Sequence, residues 1–80
     1  MKDVELVVPK LGMDTIEAAI KSWLVAENSR VEVGTPLVEL ETEKVDFVVD
    51  AEVAGVLTKI IEQEGSIVAV GGALGIIQTD

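Results

Sequence analysis

The chain has no cysteine, no histidine and no tyrosine, and only one tryptophan, one phenylalanine and two prolines in 80 residues. Each absence removes a class of chemistry. Without cysteine there is no disulfide staple and no thiol nucleophile, without histidine no imidazole base, and without both no ordinary zinc site. With so few aromatics, Val, Leu and Ile must pack the core, and the apolar share is 49%. No apolar run nears the roughly 20 residues of a membrane-spanning helix, and the opening Met-Lys-Asp-Val-Glu lacks the apolar centre of a signal peptide. The expectation is a soluble intracellular module without a membrane partner. Bases are scarce too: six Lys and Arg stand against fifteen Asp and Glu, a net charge of −9. That balance argues against a nucleic-acid partner, because a phosphate backbone needs neutralising cations. The acidic excess either solubilises a hydrophobic little domain or steers it toward basic partner surfaces.

What is present is a repeat. Slid by 37 positions, residues 20–42 fall onto 57–79 with seven identities in 23 pairs: Glu27/Glu64, Ser29/Ser66, Val31/Val68, Val33/Val70, Gly34/Gly71, Leu37/Leu74 and Thr42/Thr79. Ile20/Leu57, Trp23/Ile60, Leu24/Ile61 and Leu40/Ile77 match in character. Residues 1–80 therefore make one small domain built twice over, close to the size at which a single core just suffices.

The periodicity is that of strands punctuated by turns. Strands are predicted near 3–8, 17–24, 29–33, 36–42, 45–51, 54–61, 66–70 and 73–78. Gly34 and Gly71 occupy equivalent turns that call for positive φ, and Asn28 aligns with Gly65 as the next most tolerant residue. Residues 16–24 also show helical spacing through Ile16, Ala19, Ile20, Trp23 and Leu24. The repeat decides against a helix, since the second copy carries Gly55 and β-branched residues. The fold expected is all-β: a flattened sandwich of two four-stranded antiparallel sheets with an internal pseudo-twofold. The symmetry places the Thr42–Val45 turn at one end of the molecule, with Lys44 projecting from the end opposite both termini.

Lys44 has no counterpart in the aligned stretch. A lysine in an acidic turn is ordinarily a solvated charge, and Lys2, Lys10, Lys21 and Lys59 are read that way. Lys44 differs by standing at the exposed connection between two repeats. Several segments around it are informative: Val8-Pro9-Lys10-Leu11-Gly12-Met13, Ile20-Lys21-Ser22-Trp23-Leu24-Val25, Val33-Gly34-Thr35-Pro36-Leu37, Glu39-Leu40-Glu41-Thr42-Glu43-Lys44-Val45, Ala54-Gly55-Val56-Leu57, Glu64-Gly65 and Val68-Ala69-Val70-Gly71. Through them the chain resembles, over essentially its whole length, a lipoyl domain from the acyltransferase component of a 2-oxo acid or acetoin dehydrogenase complex, in the wider biotinyl/lipoyl attachment family.

The resemblance implies a barrel-sandwich hybrid fold and a swinging-arm acyl carrier that is not itself catalytic. Lys44 would be N6-lipoyllysine, with lipoate as covalent cofactor and no metal. Glu41, Thr42, Glu43 and Val45 around the turn would contribute to recognition, Glu41 and Glu43 by the ligase. The loop Leu11, Gly12, Met13, Asp14 and Thr15 near it would contribute to recognition by the decarboxylase. For Glu41 and Glu43, simple solvation of a polar turn competes with that role. For Met13 the alternatives are a docking surface and a partly buried loop anchor, and Trp23 reads as core or boundary packing. Glu43 stands where the family most often has Asp. The implied partners are a lipoate ligase or lipoyl transferase, a thiamine-dependent decarboxylase, an acyltransferase core and dihydrolipoyl dehydrogenase, with the domain itself monomeric. A bacterial cytoplasm is the expected location, with the mitochondrial matrix as alternative.

Two rival readings stay open. A biotinyl carrier shares the fold, but its lysine normally lies in an Ala-Met-Lys-Met setting, whereas Glu43 and Val45 flank Lys44. An unmodified structural or adaptor hairpin domain would need no lysine at the turn.

Overall fold

Eight short strands account for most of the chain in a computed structural model that describes residues 2–80. They are β1 Asp3–Val7, β2 Glu17–Trp23, β3 Arg30–Val31, β4 Pro36–Glu41, β5 Asp46–Asp50, β6 Gly55–Ile60, β7 Ile67–Ala69 and β8 Ala73–Thr79. All pairings are antiparallel and form two four-stranded sheets, ordered β1-β8-β6-β3 and β5-β4-β2-β7. The expected sandwich is found, and residues 17–23 are a strand, as the repeat required. β3 is shorter than the 29–33 read from the sequence. The chain leaves the ladder at Glu32, whose N–H bonds Thr35 Oγ1 at 3.0 Å while Thr35 N–H bonds the Glu32 carbonyl at 3.0 Å.

Replacing each strand by its repeat partner (β6 by β2, β8 by β4, β3 by β7, β1 by β5) turns one sheet order into the other. The symmetry reaches single bonds. Asn28 N–H donates to the Leu57 carbonyl and Gly65 N–H to that of Ile20, at 2.6 and 2.8 Å. Glu27 takes the Ile60 N–H at 2.7 Å, and Glu64 the Trp23 N–H at 3.0 Å. Asn28 and Gly65 have φ of 72° and 92°, Gly34 and Gly71 of 90° and 85°, so the aligned turn residues share the left-handed conformation that Gly and Asn tolerate best. The halves are interleaved rather than stacked: β3 joins the sheet of β6 and β8, and β7 that of β2 and β4.

The core obeys the same twofold. Its buried residues pair as Leu6 with Val49, Val8 with Ala51, Ile20 with Leu57, Val31 with Val68, Leu37 with Leu74 and Leu40 with Ile77. The remaining two, Ala18 and Val38, face the buried Gly55 and Gly75 in the repeat. The Lys59 backbone shows why Gly75 is small. A Cβ there would lie 2.7 Å from the Lys59 carbonyl oxygen and 3.4 Å from the Trp23 ring. The indole is partly buried against the core and donates Nε1–H to the Glu62 carbonyl at 2.8 Å, the packing role read from the sequence. No buried polar side-chain atom lacks a partner among the described residues.

Candidate functional site

β4 and β5 are joined by the turn Thr42-Glu43-Lys44-Val45, and Thr42 holds it together. Its N–H donates to the Val45 carbonyl at 2.9 Å. Its hydroxyl donates to the same carbonyl at 3.0 Å and accepts from the N–H groups of Val45 and Lys44 at 3.1 and 3.3 Å. One Oγ1 thus uses its donor and both acceptor positions. Neither Glu43 nor Lys44 has positive φ, so the turn does not demand Gly, Asn or Asp, and glutamate is accommodated where the family most often has aspartate.

Lys44 projects from this turn with its side chain 75% exposed. Its one ion-pair contact among the described residues is to Asp14 Oδ2, at 4.0 Å, and Asp14 is itself almost fully solvated. A pair at that distance and exposure contributes next to nothing to stability, so it leaves the amine mobile. Lys21 is the contrast. It bonds Asp46 Oδ2 at 2.8 Å on the outer face of the same sheet, and the hydrogen bond, then the Coulomb attraction of Asp46 and Glu39, hold its ammonium above the ordinary lysine range. Of these two lysines beside the turn, Lys21 is committed to a carboxylate and Lys44 is available for acylation.

β1 and the loop after it lead from the Lys2–Thr79 contact to the Lys44 turn. The loop is anchored by Leu11, which packs partly buried against the core, and is tightened by the Thr15 N–H bond to the Gly12 carbonyl at 3.4 Å. Met13 at its tip is 93% exposed; the anchor is Leu11, and Met13 is free to touch a partner. Residues 14–17 and 42–44 line a cleft of about 380 Å3 at the foot of Lys44. The structure thus brings Asp14, Thr42, Glu43 and Lys44 together, with Glu41, Val45 and Met13 exposed nearby. Thr15, the last residue of the loop read from the sequence, lies there too, and the structure adds Ile16 and Glu17, which sequence reasoning missed. Ile16 is 74% exposed, although the alternation Ala18, Ile20 would turn it inward; it precedes β2, where the pleat no longer sets its direction. No metal-ligand cluster exists among the described residues.

The biotin/lipoyl family profile, described as "Biotin-requiring enzyme", matches residues 4–77. The chain is 34% identical, over 92% of its length, to the dihydrolipoyllysine-residue acetyltransferase component of an acetoin cleaving system from Cupriavidus necator, of which it spans about a fifth. Among solved structures, the lipoyl domain of the 2-oxoglutarate dehydrogenase complex from Azotobacter vinelandii superposes with a TM-score of 0.77 at 26% identity, covering 96% of this chain and 99% of that one. A single-chain, multi-domain long-chain acyl-CoA carboxylase superposes with a TM-score of 0.82 at 19% identity, over 98% of this chain and 7% of that one. The last likeness speaks for the fold alone.

Proposed function

This chain belongs to the biotin/lipoyl attachment family, and we propose that it is a swinging-arm acyl carrier whose Lys44 bears lipoate in amide linkage. The observation that carries the proposal is the Lys44 amine, exposed at a turn that is otherwise closed by its own hydrogen bonds. Thr42 fixes the backbone from which the arm would leave. Glu41 and Glu43 supply an acidic surround for the ligase or transferase that loads it, and the loop with Met13 and Asp14 a contact surface for the decarboxylase. When bound, the dithiolane supplies reductive acylation from a thiamine-dependent decarboxylase, acyl delivery to an acyltransferase and reoxidation by dihydrolipoyl dehydrogenase. The domain's own residues would hold and present the arm, and the core keeps its base fixed; a short tether would raise the arm's local concentration to roughly millimolar. This chain would then be one domain of an acyltransferase component, with the acyl group chosen by the enzymes it visits.

The test is intact mass after co-expression with a lipoate ligase and free lipoate. One lipoyl group on the chain and none on Lys44→Ala is the expected result. A mass gain matching biotin would overturn lipoate in favour of a carboxylase carrier, and an unmodified chain would favour the structural adaptor.

A further inference from the structure

The two sheets do not close on each other along one side. β1 and β5 are both edge strands, each paired on one side only, and between them runs a groove of about 310 Å3. Its floor is aliphatic, with Leu6, Val49 and Ile77 at 8%, 8% and 2% exposure. Half-exposed Phe47, Val48 and Val7 continue the apolar surface toward solvent. Among the described residues the charged side chains lining it are Glu5, Asp50 and Glu52, all exposed, with no Lys, Arg or neutral hydrogen-bonding side chain beside them. The cleft at Lys44 is different in kind, since most of its lining is polar.

We infer that the β1/β5 groove is a docking site for an extended, basic peptide segment with apolar side chains at alternate positions and lysine or arginine between them. Three features select that occupant. The open edges of β1 and β5 offer backbone donors and acceptors to an added strand. The aliphatic floor takes its inward side chains, which recur every second residue. The carboxylate rim pairs with its outward cations and, in a chain of net charge −9, repels a second copy of the domain or an anionic headgroup. The neutral arm proposed for Lys44 would leave the rim charges without a role. The inference is independent of what Lys44 carries.

The test uses the 80-residue domain labelled with 15N and three capped seven-residue peptides: alternating Lys/Val, alternating Glu/Val and alternating Lys/Ser. Saturable amide shifts at Val4–Val7 and Phe47–Val53 with Lys/Val, and none with the other two, are expected. Glu5→Lys/Glu52→Lys should weaken Lys/Val binding roughly tenfold, given the modest size of exposed ion pairs, and the thermal midpoint would show that this variant still folds. Absence of binding, equal binding of Lys/Ser, shifts centred on the Lys44 turn, or unchanged affinity in the double variant would each overturn the inference. So would peptide-free dimerisation mapped to the groove, or shifts there on lipoylation, which would assign it to a second copy or to the arm.

Discussion

At Thr42 and at Thr79 a threonine makes the same contacts to the start of the next strand. Thr42 N–H and Oγ1–H bond the Val45 carbonyl at 2.9 and 3.0 Å, and Oγ1 accepts the Val45 N–H at 3.1 Å. Thr79 does the same with Lys2, at 2.7, 3.3 and 3.1 Å. The ends differ in what surrounds this motif. At Thr79 two separate stretches of chain meet, and Arg30 clasps Asp80 through both carboxylate oxygens at 2.8 and 2.6 Å. At Thr42 the chain is continuous. There Arg30 is matched in the repeat by Ile67, 66% exposed, and Asp80 by Glu43, which makes no ion pair among the described residues. At this end the corresponding positions, Ile67 and Glu43, are exposed and form no such clasp among the described residues.

The comparison breaks most completely at Lys44. Lys44→Arg keeps the charge and the exposed turn, so the fold should survive while the added mass disappears entirely. Next come the twin core leucines. Leu37 and Leu74 are both fully buried, so Leu37→Ala and Leu74→Ala should each cost about 2–5 kcal/mol in denaturant unfolding. A difference between them beyond about 1.5 kcal/mol would show that the core is less symmetric in energy than in geometry. Thr42→Val and Thr79→Val should each lose about 1 kcal/mol, yet only Thr42→Val should slow lipoylation, because only that threonine orders the backbone of Lys44. Ile67→Arg would copy the Arg30 clasp onto Glu43. Its stability should move by less than about 1 kcal/mol, and the rate of mass gain with the ligase should fall if Glu43 is read by that enzyme.

The smallest effect is electrostatic. The hydrogen bonds from Arg30 hold the Asp80 carboxyl below its ordinary range, with the Coulomb attraction of the same group adding to them. A folded pKa below the unfolded one means that the contact contributes above the unfolded value and is lost as pH falls through the folded one. Thermal midpoints between pH 7 and pH 2 should therefore drop slightly more for the native chain than for Asp80→Asn. Equal slopes would show that solvent screens the clasp.

Much of this was written in local pattern. Alternating Val, Leu and Ile between Gly, Asn and Pro turns located every strand, because the two-residue pleat period and the left-handed turn positions are properties of a few neighbouring residues. The repeat carried more, turning an ambiguous 16–24 into a strand and placing Lys44 at the connection between its two copies. The site's surroundings were harder to read. Nothing in Ile16-Glu17 says that they lie beside residues 42–44, and nothing near Lys21 announces Asp46, since both contacts cross between segments distant in sequence.

The sequence by itself determined the strand set, the pseudo-twofold and a lysine at the connection between the repeats, because periodicity and self-similarity need no partner in space. Only the tertiary structure decided that the halves interleave, that one threonine hydroxyl closes the Lys44 turn, that the Lys59 backbone crowds Gly75 and that β1 and β5 leave an acidic-rimmed groove between them. Those outcomes depend on which buried surfaces and unpaired edges meet across the core, and long-range packing settles that where local preference cannot.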